Sequence, residues 1–298
     1  MHLLNRRRAV QGLGLALLAA QGTPAWAQAA QTTPATPRRI VSVGGALTET
    51  LYALGAQDEL VGADTTSLFP EAARRLPSVG YARALSAEGV LSLRPSLIVA
   101  TQEAGPPAVV RQLEAARVPL VRLGADHRFE GVLARSLRLA ELCGRSAAGQ
   151  TLAAQLQQDW QATQAQVQSR QRGRAAPLKV LFVLSHSMAQ VRVSGRDTAA
   201  DAMLAYAGVA NALTGFDGYK PLTPEAAIAA APDIILATDQ GLEAAGGIDG
   251  LLGAPGLAQT PAGRARRVVA QDALLMLGFG PRLPQAVAAL SAALHDLA

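Results

Sequence analysis

A seventeen-residue pattern recurs in this chain without a gap, and that repeat constrains the fold more than any other feature. The segment 85–101 reads Leu-Ser-Ala-Glu-Gly-Val-Leu-Ser-Leu-Arg-Pro-Ser-Leu-Ile-Val-Ala-Thr, and 222–238 reads Leu-Thr-Pro-Glu-Ala-Ala-Ile-Ala-Ala-Ala-Pro-Asp-Ile-Ile-Leu-Ala-Thr. Glu88 precedes Pro95 by seven residues, as Glu225 precedes Pro232, and Thr101 and Thr238 each follow their proline by six. Each copy predicts a capped helix, with Ser86 as the first cap, a break at the proline, and a buried strand over the apolar run. Upstream, Gly80-Tyr81 corresponds to Gly218-Tyr219, and the strand 40–43 corresponds to 180–184. Repetition on this scale implies two related halves.

The rest of the chain fits that division. Within the first half, Arg39–Val43 reads as a buried strand, Thr48–Leu54 as a helix stopped at Gly55, and 60–62 as a second strand. A helix over 107–116 and a strand over 119–123 follow. Strands alternating with helices imply a parallel α/β layer. Between the halves, 147–170 contains no proline and one glycine, and Leu152, Leu156, Trp160, Thr163 and Val167 step by three or four. This spacing predicts one amphipathic helix, long enough at 1.5 Å per residue to run along both halves and tie them together. The expected organisation is a leader over 1–27, a flexible lead-in over 28–37, an α/β lobe over 38–128, a helical segment over 129–172 and a second α/β lobe over 173–298.

The leader has the form of an export signal. Arg6–Arg8 precede an apolar run over 9–20, and Ala25-Trp26-Ala27 offers a cleavage site. The run is too short to span a bilayer, and no cysteine adjoins the cleavage site to carry a lipid. The expected compartment is the periplasm; the consecutive arginines are compatible with either the general secretory or the twin-arginine route. Half of the 298 residues are hydrophobic and 16% are charged, which excludes a disordered chain. The formal charge of +5 falls to +2 once the leader is set aside, and eleven aromatics are too few for a stacking platform, so nucleic acid is not an expected partner. Of 27 basic residues only Lys179 and Lys220 are lysines; a body rich in arginine suits carboxylate or phosphate groups. Cys143, the only cysteine, forms no intramolecular disulfide and falls in an apolar helical pattern that reads as core.

No hydrolase, zinc-protease, P-loop or dinucleotide motif is present, and no nucleophile–base pair marks an enzyme. Among the histidines, His127 follows Asp126 in a loop and reads as a solvated or capping residue, and His295 reads as a surface residue of the last helix. His186 follows the strand 180–184, at a carboxyl end where ligands of parallel sheets bind. Tyr81 stands between two strands, just before a helix, with Arg83 two residues on. By position alone it reads as a packing residue. Its phenolate is nevertheless a hard anionic donor, and tyrosine serves as an axial haem ligand. A neighbouring guanidinium would favour the ionised form.

The segments 39–50, 61–70 and 80–95 closely resemble the periplasmic haem-binding proteins of bacterial haem-uptake ABC transporters. The resemblance continues through Gly195-Arg-Asp-Thr-Ala-Ala-Asp-Ala-Met, Gly215-Phe-Asp-Gly-Tyr-Lys-Pro-Leu and Gly278-Phe-Gly-Pro-Arg-Leu-Pro. It implies two Rossmann-like lobes bridged by a long rigid helix, the helical-backbone class III architecture, and a protein that performs no reaction. It implies that Tyr81 is the axial ligand of ferric haem b, supported by Arg83, and that His186, Arg192 and Arg196 face the haem or its propionates from the other lobe. Tyr219, the repeat counterpart of Tyr81, is a candidate to line the same cleft. Glu88 and Glu225 would dock on arginines of an ABC permease with its ATPase, downstream of an outer-membrane receptor. A ferric siderophore or a corrinoid is the alternative cargo, since related two-lobed proteins bind these. The direction in which Arg83 points, and whether one haem or two are held, are open at the level of sequence.

Overall fold

A computed structural model describes residues 38–124, 126–184 and 191–297. The expected leader, the lead-in and His186 lie outside the described residues. The chain runs through β1 (Ile40–Val43), α1 (Gly45–Ala53), β2 (Leu60–Ala63), β3 (Gly80–Tyr81), β4 (Ala84–Leu85), α2 (Ala87–Ser92), β5 (Leu97–Thr101), α3 (Pro107–Ala115) and β6 (Leu120–Leu123). Two helices follow, α4 (Phe129–Leu142) and α5 (Ser146–Gln171). Next come β7 (Lys179–Leu184), β8 (Arg192–Ser194), α6 (Ala199–Tyr206), β9 (Ala210–Asn211), β10 (Tyr219–Pro221), α7 (Pro224–Ala230), β11 (Ile234–Thr238) and β12 (Val268–Gln271). A last long helix spans Leu283–Asp296.

The first sheet has strand order β2-β1-β5-β6 and is parallel throughout. Its central strands are apolar and buried on both faces, as the sequence of a parallel sheet requires. The second sheet has order β10-β8-β7-β11-β12, with β9 also on β7. Here β7, β9, β11 and β12 are parallel, whereas β8 runs antiparallel to β7 and to β10. The expected parallel layer holds in β7, β9, β11 and β12, and β8 and β10 extend it with antiparallel pairing. The strands Arg192-Val-Ser and Tyr219-Lys-Pro are short and polar, so they lack the apolar run that marks a strand in sequence.

The repeat is structural. At a constant offset of 137 residues, β5 falls on β11, and the caps Ser86 and Thr223 coincide. Both caps work alike: Ser86 accepts from the Gly89 N–H at 3.2 Å and Thr223 from the Ala226 N–H at 3.2 Å. The strands β1 and β7 occupy matching central places, each paired in parallel with its copy of the repeated strand.

Helix α1 starts at Gly45, three residues before the expected Thr48. Gly44 takes φ 125°, and a Cβ there would meet Thr101 Cγ2 at 2.4 Å, so the turn out of β1 needs glycine. The buried Asp64 carboxylate holds that turn. It accepts from the Gly44 N–H (2.8 Å), from the Thr66 hydroxyl (2.7 Å) and from the Ser67 hydroxyl (2.9 Å).

The 26 residues of α5 rise about 39 Å at 1.5 Å each. Leu156, Trp160, Thr163 and Val167 are buried along one stripe, as their spacing predicts. Phe129, Trp160 and Tyr206 interlock, the first pair stacked with centroids 4.7 Å apart and the second edge-on at 4.7 Å. A Cβ at Gly149 would stand 2.4 Å from that of Ala140, so glycine sets how closely α4 and α5 cross. Leu139 and Ala140 of α4, with Cys143 at its end, fill the core on the first sheet, while Phe129 and Val132 of the same helix fill the core on the second. The helical segment thus belongs to both cores. His295 is corrected from a surface residue: both ring nitrogens are buried without a partner among the described residues. His295 lines a hollow of about 280 Å³ together with Gln171, Arg174 and Pro177.

Candidate functional site

Tyr81 and Arg83 sit on a two-stranded hairpin at the mouth of the first lobe. In it Gly80 pairs with Leu85 and Tyr81 with Ala84, leaving Ala82 and Arg83 as the connection. Gly80 adopts φ 92°, a conformation that favours glycine at the start of the hairpin. Alternation then divides the side chains. Ala82 and Leu85 are buried in the lobe core, whereas Tyr81 is 42% exposed and Arg83 also faces out. The hairpin is anchored by backbone bonds: Thr65 N–H to Gly80 O at 3.0 Å, Leu85 N–H to Gly105 O at 2.9 Å, and Gly105 N–H to Ala82 O at 2.9 Å.

The direction of Arg83, open in the sequence, is defined here. Its Nη1 donates to the Tyr81 hydroxyl oxygen at 2.7 Å. Its Nη2 makes a short contact with Glu103 Oε2. Burial pulls the guanidinium pKa down, but the hydrogen bonds and charges of Tyr81 and Glu103 outweigh it and hold the group above its ordinary value.

The second lobe faces this cluster with Tyr219, the first residue of β10. Its ring lies edge-on to the buried Phe182, centroids 6.4 Å apart. Burial pushes the Tyr219 phenol up, opposed by hydrogen bonds with the Thr198 side chain and the Ala200 backbone at the start of α6. Glu103 raises it further and Arg83 lowers it. Groups of the first lobe therefore lie within electrostatic reach of Tyr219. Arg192 bonds the carbonyl of Tyr219. Arg196 is paired with Asp217, Nε to Oδ1 at 3.0 Å, and both side chains are more than half exposed.

Four residues that the sequence did not assign to the site complete the surroundings. Glu103 lies two residues beyond Thr101, at the carboxyl end of β5; strand-end position was the available signal. Phe279 and His127 both take φ 50°, and their rings pack with centroids 5.3 Å apart. His127 is thus half-buried rather than solvated. Burial pushes its imidazole pKa down, and the Glu103 carboxylate opposes that shift. Arg135, buried beneath, donates to Gly124 O at 3.0 Å and to Phe279 O at 2.7 Å, fixing the floor.

Glu88 and Glu225 are not part of this cleft cluster. Each is exposed in the first turn of its helix, α2 or α7, at equivalent places in the two lobes. A second hollow of about 280 Å³, lined by Glu49, Tyr52, Phe69, Leu156 and Arg282, does not include Tyr81. Tyr81 stands instead on an open face, presented to whatever enters from solvent.

The chemistry this arrangement offers is ligation and charge pairing. An exposed phenol oxygen accepts a guanidinium hydrogen bond from Arg83. Residues 40–274 match the family model described as periplasmic binding protein. The chain is 52% identical to "Periplasmic heme-binding protein BhuT in complex with two hemes (holo-2 form)", covering 87% of this chain and 98% of that one with a TM-score of 0.84. It is 42% identical to the periplasmic heme-binding protein RhuT from Roseiflexus sp. RS-1 in apo form, covering 88% and 99% with a TM-score of 0.83. Among curated relatives, the uncharacterized ABC transporter substrate-binding lipoprotein YvrC of Bacillus subtilis (strain 168) is 25% identical over 87% of this chain and 80% of its own length. With two repeat-related α/β lobes, a long bridging helix and this match over most of its length, the chain belongs to the periplasmic binding protein family.

Proposed function

We propose that the protein captures ferric haem in the cleft between its lobes and hands it to an inner-membrane ABC permease and its ATPase, performing no reaction itself. The observation that carries this reading is the exposed Tyr81 phenol with its oxygen hydrogen-bonded to Arg83 at 2.7 Å. A phenolate is a suitable axial ligand for ferric iron, and the guanidinium hydrogen bond fixes where the Tyr81 oxygen points. The half-identity with a haem-bound solved protein over nearly its whole length supports the same cargo.

In this reading Tyr81 ligates the iron and Arg83 positions its oxygen. Arg192, Arg196 and Tyr219 contact the porphyrin or its propionates from the second lobe, where arginine suits carboxylates. His186 is a further contact from that lobe. Glu88 and Glu225 meet arginines of the permease. The lobes comprise 38–128 and 173–298, bridged by 129–172, and residues 1–27 form a cleavable leader that delivers the protein to the periplasm. An outer-membrane receptor supplies the haem upstream.

The test is equilibrium dialysis of residues 28–298 against ferric haem, cobalamin and a ferric siderophore. Saturable retention of haem at micromolar concentration or below, with neither of the others held, is the expected outcome. Preferential retention of cobalamin or the siderophore would assign the same cleft to that cargo.

A further inference from the structure

We propose that Glu103 is a positioning residue for the cargo site, acting through Arg83 to fix the hydrogen bond on the Tyr81 oxygen. This inference rests on the haem reading above. A guanidinium is a planar, rigid fork, so fixing one nitrogen fixes the other. Arg83 uses that fork in two directions: Nη1 donates to the Tyr81 oxygen at 2.7 Å and Nη2 engages Glu103 Oε2. The side chain is 59% exposed. An arginine so exposed loses considerable rotamer freedom on being held in one orientation, and the phenol oxygen alone offers it a single acceptor.

Glu103 is placed to supply the second anchor. It sits in the turn after β5, where Gln102 N–H bonds Leu123 O at 3.0 Å and Ala104 N–H bonds Thr101 O at 3.0 Å. The same turn is laced to the hairpin through Gly105, which both donates to Ala82 O and accepts from the Leu85 N–H. The carboxylate and the hairpin are therefore one rigid unit of backbone, and the fork spans it. An ion pair between groups this exposed adds little to folding stability. Its effect is on where Arg83 points. The repeat places Gln240 at the equivalent position of the second lobe, so the acid belongs to the lobe that carries the Tyr81–Arg83 pair.

A double-mutant cycle on the haem-loaded protein tests this. The variants are Glu103→Ala, Arg83→Ala and both together, with Glu103→Gln as the conservative replacement that keeps an acceptor. The readouts are the rate of haem transfer to excess apomyoglobin and the position of the phenolate-to-iron charge-transfer band. Glu103→Ala and Arg83→Ala each speed haem loss, by roughly tenfold for a supporting partner of a ligand, and shift the band in the same direction. The double variant loses haem no faster than Arg83→Ala, because the two changes remove one interaction. Glu103→Gln falls between wild type and Glu103→Ala. Additive effects, or a Glu103→Ala protein with wild-type rate and band, would overturn the proposal. Failure of the wild-type protein to take up haem at all would be a different result: it would overturn the haem reading itself.

Discussion

Arg282, just before the last helix, grips the carboxylate of Glu49 from 233 positions away in sequence. Its Nε donates to Glu49 Oε1 at 3.0 Å, its Nη2 to Oε2 at 2.8 Å, and its backbone N–H to Oε1 at 3.2 Å. The Phe69 ring covers the guanidinium, 3.5 Å from its centre. Glu49 belongs to α1 on the first sheet, and the helix after Arg282 packs into the core of the second. The pair is therefore a bond between lobes.

Truncating Glu49 should be costly. Its side chain is 6% exposed, so Glu49→Ala leaves Arg282 partly buried and unpaired. Loss of one partner of such a pair destabilises by about 3 kcal/mol. Urea denaturation should show that loss as a lowered midpoint. An unchanged midpoint would remove the pair from the forces joining the lobes.

Cys143 should be inert in the folded protein. Burial, with the Glu59 carboxylate adding to it, pushes its thiol up to about 11. The folded state then holds a proton that the unfolded chain releases near its ordinary value of 9.0. This contribution to stability is complete below pH 9 and is lost as pH rises towards 11. A chromogenic disulfide reagent at pH 8 should label the thiol only after unfolding, and Cys143→Ala should flatten the fall in thermal midpoint between pH 9 and 11. Rapid labelling of the native protein would contradict this burial.

Glu88 and Glu225 should affect delivery and not capture. Both are exposed, one on each lobe. Glu88→Arg and Glu225→Arg should leave haem affinity within a factor of two while lowering haem uptake by permease-containing vesicles at least tenfold. Equal uptake with both charges reversed would place docking elsewhere.

What the sequence disclosed follows from how local each feature is. The repeated helix–proline–strand unit was legible because capping serine or threonine, proline and an apolar run act within a dozen residues. The stripe on α5 was legible because one face of a helix writes itself at three- and four-residue spacing. Tyr81 and Arg83 could be named as neighbours, but their hydrogen bond depends on the hairpin that turns both outward from Ala82 and Leu85. The antiparallel strands β8 and β10 were hidden because Arg192, Ser194 and Lys220 break any apolar pattern. Glu103, the packing of His127 on Phe279 and the Glu49–Arg282 pair were invisible for a different reason. Each owes its role to a partner brought close only by the fold, 20 residues away for Glu103 and Arg83 and 233 for Glu49 and Arg282.

Ligation of ferric iron by Tyr81 is tested most directly by titrating residues 28–298 and the Tyr81→Ala variant with ferric haem and following visible absorbance. The wild type should give a saturable spectrum with a phenolate-to-iron charge-transfer band, its endpoint counting one haem or two. Tyr81→Ala should lose that band and bind about 10–100-fold more weakly, as removal of a metal ligand or its support does. Identical spectra and endpoints for the two proteins would contradict coordination through Tyr81.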